Sequence, residues 1–193
     1  TASGVSSTSM GYYSTASASS STAMGEGTTA SGVSSTSMGN FSTASGFSST
    51  AMGSLTTALG DFSTAIGINA RAIGNYSFAI NLSSTTGPDV GANTFRISGA
   101  SAIGGNLGWT NWSDRRLKKD IQSLNTENNL AKIMQLNGVR FRWKDNDTKP
   151  YIGFIAQEVK EIVPESVHYD ELNDIYSMEY TAIIPVLVEG IKE

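Results

Sequence analysis

The sequence predicts an N-terminal β-solenoid followed by a small α+β domain. Three observations support this fold class. Glycine recurs every seven residues through the first 74 positions of the 193-residue chain. Charged side chains are rare before position 113 and frequent after it. Beyond that position, alternating and helical hydrophobic patterns replace the repeat.

The repeat is built from glycine and small polar residues. Alanine or serine lies two residues before each glycine, and threonine lies three before it in most units. The residue just before glycine alternates between serine and methionine, so the full period is 14 residues. Glycine and Ser/Thr at this frequency exclude a coiled coil, because they destabilise helices. Short strands separated by glycine turns at a fixed period are typical of a β-solenoid. The repeat glycines are Gly4, Gly11, Gly25, Gly32, Gly39, Gly46, Gly53, Gly60, Gly67 and Gly74, and Ala18 takes the missing place.

The strand pattern predicts that association of several chains stabilises the repeat. Threonine and methionine or serine share one face of each short strand, and alanine takes the other. Both faces are small, so one roll buries little apolar area. At roughly 25 cal/mol per Å², that area hardly offsets an ordering entropy of about 1–2 kcal/mol per residue. The alternative is a disordered Ser/Gly-rich linker, although linkers do not keep a register over ten glycine units.

The string TAMGSLTTALGDFSTAIGINARAIG resembles the head repeats of trimeric autotransporter adhesins. The resemblance covers about residues 1–81 and implies a left-handed parallel β-roll with three chains side by side. Adhesion does not follow from a fold alone. A phage or other fibre could use the same roll as a shaft, and a host-surface receptor or a glycan stays open as a partner.

The distribution of charge marks a domain boundary near Ser113. Residues 113–193 hold 11 basic and 14 acidic side chains. We therefore expect a repeat domain at 1–81, a neck at 82–112 and a separate domain at 113–193. The earlier charged residues are Glu26, Asp61, Arg71, Asp89 and Arg96.

Composition also narrows the class of function. A net charge of -4 argues against nucleic-acid binding. No stretch reaches the roughly 18 apolar residues of a membrane span, so no membrane insertion is expected. The absence of cysteine excludes disulfides and cysteine metal sites. We expect neither a cofactor nor a metal.

The segment SDRRLKKDI, which begins at Ser113, has two interpretations. It could be a helix start with Ser113 or Asp114 as the N-cap. It could also pair the Ser113 hydroxyl with the Lys118 amine, since a hydroxyl needs a base to become a nucleophile. A lysine serves as that base when its pKa of about 10.4 falls to roughly 7–8. On a continuous helix these residues point about 140° apart, so the pair requires Ser113 on an extended or turned segment. Lys118 then either folds back or serves a Ser113 of another chain.

Five strings after residue 111 resemble the C-terminal intramolecular chaperone of phage endosialidases, tailspikes and neck appendages. They are WSDRRLKKDI, GVRFRW, YIGFIAQEV, VPESV and YTAIIPVLVEGIKE, in that order. A similar domain occurs in the membrane-bound myelin regulatory factor. The resemblance covers about residues 110–193 and implies a trimerising autoprotease of a virion tail fibre or of an extracellular or cell-surface protein.

The same resemblance implies roles for individual residues. Ser113 is the nucleophile and Lys118 its helper, and the scissile bond is Trp112–Ser113. Asp114, Arg116 and Gln157 match other recurring positions of the family and receive supporting roles only.

The hydrophobic pattern of the rest of the C-terminal domain predicts a mixture of helices and strands. The apolar stripe of the last helix predicts a trimeric helical bundle. The alternative is that this stripe packs on its own domain. The expected elements are a helix at 126–136, a hairpin of Val139–Trp143 with 151–155, a helix at 156–163 and an amphipathic segment at 180–193.

These observations together predict a self-cleaving intramolecular chaperone. It is expected to form a homotrimer and to set the register of three repetitive chains. One serine-lysine cut, with no external substrate, then releases it. The alternative is a surface adhesin or receptor-binding fibre whose C-terminal domain is a permanent trimer cap.

Overall fold

The computed structural model describes residues 1–83, 85–100, 111–144 and 146–193. It divides the chain into two compact units, Thr1–Gly108 and Trp109–Glu193. The first unit is a parallel β-solenoid, and the second is a small α+β unit that ends in a helix. Both architectures confirm the expected fold class, while the finer division into repeat, neck and chaperone segments stays a prediction.

Each turn of the solenoid contributes one longer and one shorter strand. In the described residues, the two-residue strands of the solenoid form one parallel sheet, and its longer strands form the other in chain order. The strands are β1 (Thr8–Met10), β2 (Thr15–Ala16), β3 (Thr22–Glu26), β4 (Thr29–Ala30), β5 (Thr36–Asn40), β6 (Thr43–Ala44), β7 (Thr50–Ser54), β8 (Thr57–Ala58), β9 (Thr64–Ile68), β10 (Arg71–Ala72), β11 (Phe78–Asn81) and β12 (Phe95–Ser98).

The strand register confirms the 14-residue period. Thr36 pairs with Thr50, and Met38 pairs with Met52. Equivalent residues therefore stack directly above one another along the solenoid, as the repeat predicts.

Small side chains dominate the described interior of the solenoid. The strand alanines, such as Ala51 and Ala65, are fully buried, whereas the neighbouring threonines are half-buried and Met52 is exposed. The strand threonines and Met52 therefore share the outer face, a choice that the alternation alone left open. Buried hydroxyls fill the space beside the alanines, and several of them bond to backbone: Ser42 Oγ donates to the Gly53 carbonyl at 3.1 Å, and Ser49 Oγ to the Gly46 carbonyl at 2.8 Å.

Glycine is required where the backbones of successive turns touch. A Cβ on Gly39 would lie 2.0 Å from the carbonyl oxygen of Gly53, in the next turn. Gly39 also has a φ of 109°, which L side chains rarely adopt. A Cβ on Gly46 would likewise lie 2.0 Å from the Gly60 carbonyl oxygen. Each 14-residue turn therefore has two such backbone contacts, and their spacing explains the seven-residue glycine period.

Two positions after most of these glycines, the chain has a residue with a positive φ. The sequence did not predict this feature. Ser48, Leu55, Phe62 and Tyr76 all have φ between 50° and 57°. Hydrogen bonds to the preceding turn hold this conformation: the Phe62 amide donates to the Phe47 carbonyl at 2.8 Å. The Phe62 and Tyr76 rings also stack, with centroids 5.3 Å apart.

Asn81 ends the periodic part of the solenoid. It stands seven residues after Gly74, is 2% exposed, and donates from Nδ2 to the carbonyls of Ile68 and Thr85 at 2.7 and 2.8 Å. The following turn is longer, because Phe78 pairs with Phe95 rather than with the residue 14 positions on. Parallel pairing thus continues to Ser98, beyond the last periodic glycine.

The C-terminal unit contains three α-helices and two hairpins among its described residues. Its helices are α1 (Asn129–Gln135), α2 (Ala156–Lys160) and α3 (Ile183–Lys192), and its strands are β13 (Val139–Trp143), β14 (Asn146–Gly153), β15 (Val167–Asp170) and β16 (Ile175–Met178). Four 3₁₀ turns connect them, at Arg115–Leu117, Leu124–Thr126, Pro164–Ser166 and Tyr180–Ala182.

Several predicted boundaries differ from the observed ones. Helix α1 begins at Asn129 rather than at residue 126, because the Asn128 side chain accepts the Ala131 amide at 3.0 Å and sets the start. Helix α2 ends at Lys160, before the 3₁₀ turn that Pro164 opens. Strand β14 begins earlier than expected. The β15–β16 hairpin was missed, although its alternating strands flank a polar turn that contains Asp174 at a φ of 53°.

The core of the C-terminal unit lies between its helices. Val159, Val163, Ile183 and Val186 are buried together, with Ile133 among the residues that pack against them. A Cβ on Gly190 would lie 2.3 Å from the Ile133 side chain, so α1 and α3 cross closely.

Helix α3 turns only part of its apolar stripe toward this core. Ile184, Val188 and Ile191 on α3 are 54%, 45% and 82% exposed. These three side chains, here called the α3 outer row, are available to another chain. Packing on its own domain therefore uses one side of the stripe and leaves the other open.

A Gly39→Ala variant should lose solenoid stability. Backbone strain alone costs roughly 1–2 kcal/mol, and the contact with the Gly53 carbonyl adds to it. Thermal unfolding followed by circular dichroism measures the loss. Ser45→Ala is the matched control, because Ser45 is exposed and should change stability by less than about 0.5 kcal/mol. Equal melting temperatures for the two variants would contradict the glycine argument.

Candidate functional site

Ser113 and Lys118 meet through a single 3₁₀ turn. The turn at Arg115–Leu117 is closed by the Lys118 amide, which donates to the Arg115 carbonyl at 3.1 Å. The Lys118 backbone then becomes extended, with φ -116° and ψ 146°. Its Nζ reaches back and donates to Ser113 Oγ at 2.7 Å. A continuous α-helix would keep these side chains apart, so the turned segment provides the proximity.

Asp114 and Arg116 hold this turn together. Asp114 Oδ1 accepts the backbone amide of Arg116 at 2.9 Å and so caps the turn. The Asp114 carboxylate also accepts from the Arg116 guanidinium, at 3.1 Å from Nε and 2.6 Å from Nη2. The Arg116 side chain, followed by its backbone amide, holds the pKa of Asp114 below the ordinary value of 3.8. In return, Asp114 raises the pKa of Arg116.

Asp114 and Arg116 are thus contacts that hold the turn, while their supporting roles stay a prediction. The sequence signal for this arrangement is an aspartate followed two residues later by an arginine, which fits one capped 3₁₀ turn. Because both side chains are exposed, their ion pair contributes geometry more than stability.

Gln157 does not join this group. It lies on α2 and is exposed. The structure therefore brings together four of the expected site residues, and among the described residues no hydrogen bond links Gln157 to Ser113 or Lys118.

The site is open to water in a single chain. Ser113 and Lys118 are both exposed, and Trp112, at the expected scissile bond, is 91% exposed. A lysine acts as a base only as the neutral amine, which burial favours. Ser113 and Lys118 are thus in contact. Both are exposed in a single chain, so the burial that favours a neutral amine is lacking there.

Neither a metal site nor a membrane span is found in the described residues. No group of three or more His, Asp or Glu side chains in the ranges above is placed to hold a metal ion. Of the helices in those ranges, none combines the length and the apolar character needed to cross a bilayer.

The Asp114 carboxyl should titrate below its ordinary pKa of 3.8. Because folding lowers this pKa, the turn gains stability above the ordinary value and loses it as the pH falls through the lowered one. Carbon NMR of the carboxyl group measures the titration. Arg116→Ala should return the pKa toward 3.8, whereas Arg115→Ala, a neighbouring cation outside this contact, should leave it lower. An identical titration in wild type and Arg116→Ala would refute the contact between the Arg116 guanidinium and the Asp114 carboxylate.

Comparison with known families agrees with both resemblances found in the sequence. Residues 113–168 match a peptidase family model described as "Chaperone of endosialidase". Residues 2–28, 16–42, 30–56, 44–70 and 58–80 match a model described as "YadA head domain repeat (2 copies)". The first match begins at Ser113 itself, and the second ends one residue before Asn81. The chain therefore joins a run of segments that match the YadA head domain repeat to a segment that matches the model of the chaperone of endosialidase.

Proposed function

We propose that the C-terminal unit is an intramolecular chaperone that assembles the solenoid as a homotrimer and then cuts itself free at Trp112–Ser113. The observation that carries the proposal is the 2.7 Å contact between Lys118 Nζ and Ser113 Oγ. It places a nitrogen base within hydrogen-bond reach of a hydroxyl nucleophile, as general-base catalysis requires. The family match that begins at Ser113 supports the same assignment.

The reaction uses the hydroxyl of Ser113 on the peptide bond before it. Neutral Lys118 takes the hydroxyl proton as Ser113 Oγ bonds to the carbonyl carbon of Trp112. The C–N bond between the two residues then breaks, and Lys118 returns the proton to the leaving nitrogen. Water hydrolyses the resulting ester, which leaves a carboxylate on Trp112 and a free amine on Ser113. Each chain completes one turnover, and no cofactor takes part.

Assembly would supply the burial that the site lacks in one chain. A neighbouring chain lying over residues 112–118 would desolvate the Lys118 amine and favour its neutral form. The α3 outer row of Ile184, Val188 and Ile191 offers an apolar surface for such a neighbour. Cleavage would then follow trimerisation, so that release waits for correct assembly.

The solenoid itself shows why a chaperone is useful. Its outward residues repeat in every turn, with Met24, Met38 and Met52 in one row. Chains that associate along such rows can slip by one turn and still make nearly equivalent contacts. A trimeric unit at one end removes this ambiguity, because it fixes the three chains in the same register.

The proposed setting is a phage tail fibre or an extracellular surface, as both family descriptions suggest. A left-handed trimeric roll that meets a host receptor or a glycan fits this setting. The alternative is an uncut fibre with a permanent trimer cap, which a lack of cleavage would favour.

Ser113→Ala should abolish self-cleavage. The mass of purified wild-type protein should show a fragment that begins at Ser113, whereas Ser113→Ala stays intact because it lacks the nucleophile. Lys118→Arg is the matched second variant: it keeps the positive charge but cannot act as a base. It should reduce cleavage by at least about 100-fold, the lower range for general-base catalysis. Intact wild-type chains after long incubation, or cleavage of Ser113→Ala, would sink the proposal.

Ile191→Ser should reduce both trimer formation and cleavage. Ile191 is 82% exposed, so the change removes an apolar contact between chains while the C-terminal unit stays folded. Analytical ultracentrifugation measures the assembly, and mass spectrometry measures the cut. Leu172→Ser, at a 49% exposed position outside α3, serves as the control and should retain both properties. Full cleavage by a monomeric Ile191→Ser protein would contradict the dependence on assembly.

A further inference from the structure

The sequence contains one Asn–Gly pair, Asn137–Gly138. It lies in the irregular segment between α1, which ends at Gln135, and β13, which begins at Val139. Both residues are exposed. Helices and strands protect a peptide nitrogen by hydrogen bonding, and this pair belongs to neither.

The backbone at this pair is sterically open. A Cβ built on Gly138 would meet no atom within 4 Å. No backbone hydrogen bond from the Gly138 amide is found in the described residues. The Asn137 side chain makes only a long contact, in which Nδ2 donates to Glu158 Oε2 on α2 at 3.5 Å. The peptide nitrogen of Gly138 can therefore approach the side-chain carbonyl of Asn137.

From this geometry we propose that Asn137 is a site of spontaneous deamidation in the C-terminal unit. The Gly138 nitrogen bonds to Cγ of Asn137 and loses its proton, and the Cγ–Nδ2 bond breaks. Ammonia leaves with that proton, and a five-membered succinimide remains. Water then opens the ring at either carbonyl and gives aspartate or isoaspartate. No oxidant or enzyme is required.

The modification would act on contacts around α2. The Asn137 amide donates from Nδ2 to Glu158 Oε2 across 3.5 Å. Deamidation replaces this amide with a carboxylate, which repels the Glu158 carboxylate. The isoaspartate product also adds a backbone methylene between α1 and β13. Gly138 lines an apolar pocket together with Leu136, Phe154 and Tyr180, so this insertion would disturb the packing of that pocket. The C-terminal unit should therefore lose stability as it ages.

Peptide mass mapping of the full chain after incubation at mildly alkaline pH tests the proposal. The peptide that contains Asn137 should gain about 1 Da, and isoaspartate should accumulate there. Gly138→Ala should convert at least about tenfold more slowly, because a Cβ restricts the backbone conformations of residue 138. Its open surroundings leave the fold intact, which makes it a matched control. Asn137→Gln should not convert at a comparable rate, because it would need a larger ring.

Conversion of the isolated peptide without conversion in the folded chain would overturn the proposal. Equal rates for wild type and Gly138→Ala would also overturn it, since the succinimide route depends on glycine. The consequence is measured separately by the melting temperature of Asn137→Asp, which should fall below that of the uncharged Asn137→Ser. A second change, Glu158→Gln, should restore it, and failure of both effects would refute the predicted repulsion.

Discussion

Contact between the backbones of successive turns is the constraint on which the solenoid depends. The turns approach so closely that a Cβ on Gly39 would overlap the carbonyl of Gly53. This spacing explains the glycine period and the interior of alanine, serine and threonine, because larger side chains do not fit between the sheets. It also leaves methionine and the strand threonines on the outer face. A chain built in this way has its larger apolar groups on its surface, where other chains can cover them.

The same constraint links the repeat to the C-terminal unit. Similar turns can stack in several registers with nearly equivalent contacts, so the repeat carries little information about which turn should meet which. The C-terminal unit has what the repeat lacks: a distinct core around Val159 and Ile183, and the exposed α3 outer row. Its site at residues 113–118 lies at the start of this unit, where a cut would separate the two parts of the chain.

The sequence predicted the repeat well and the C-terminal boundaries less well. The 14-residue period and the separation of alanine and threonine onto opposite faces follow from spacing and alternation, which are local properties, whereas only the structure shows that the alanines face inward. The left-handed residues such as Phe62 were not predicted, because hydrogen bonds between turns stabilise them against their own preference. The start of α1 was missed by three residues, since a cap at Asn128 outweighed the helical hydrophobic pattern. Gln157, on α2, makes no described hydrogen bond to Ser113 or Lys118, and chain spacing carries no information on such contacts.

The sequence by itself determined the fold class and the family resemblances, and it predicted Ser113 and Lys118 as candidate site residues. These follow from the repeat period and from motif strings, both of which are written along the chain. Only the tertiary structure decided that Lys118 reaches Ser113, because that contact depends on a turn capped by Asp114 rather than on spacing alone. It also decided which side of α3 stays exposed. A helical stripe is a one-dimensional pattern, and its division between core and surface depends on what packs against it.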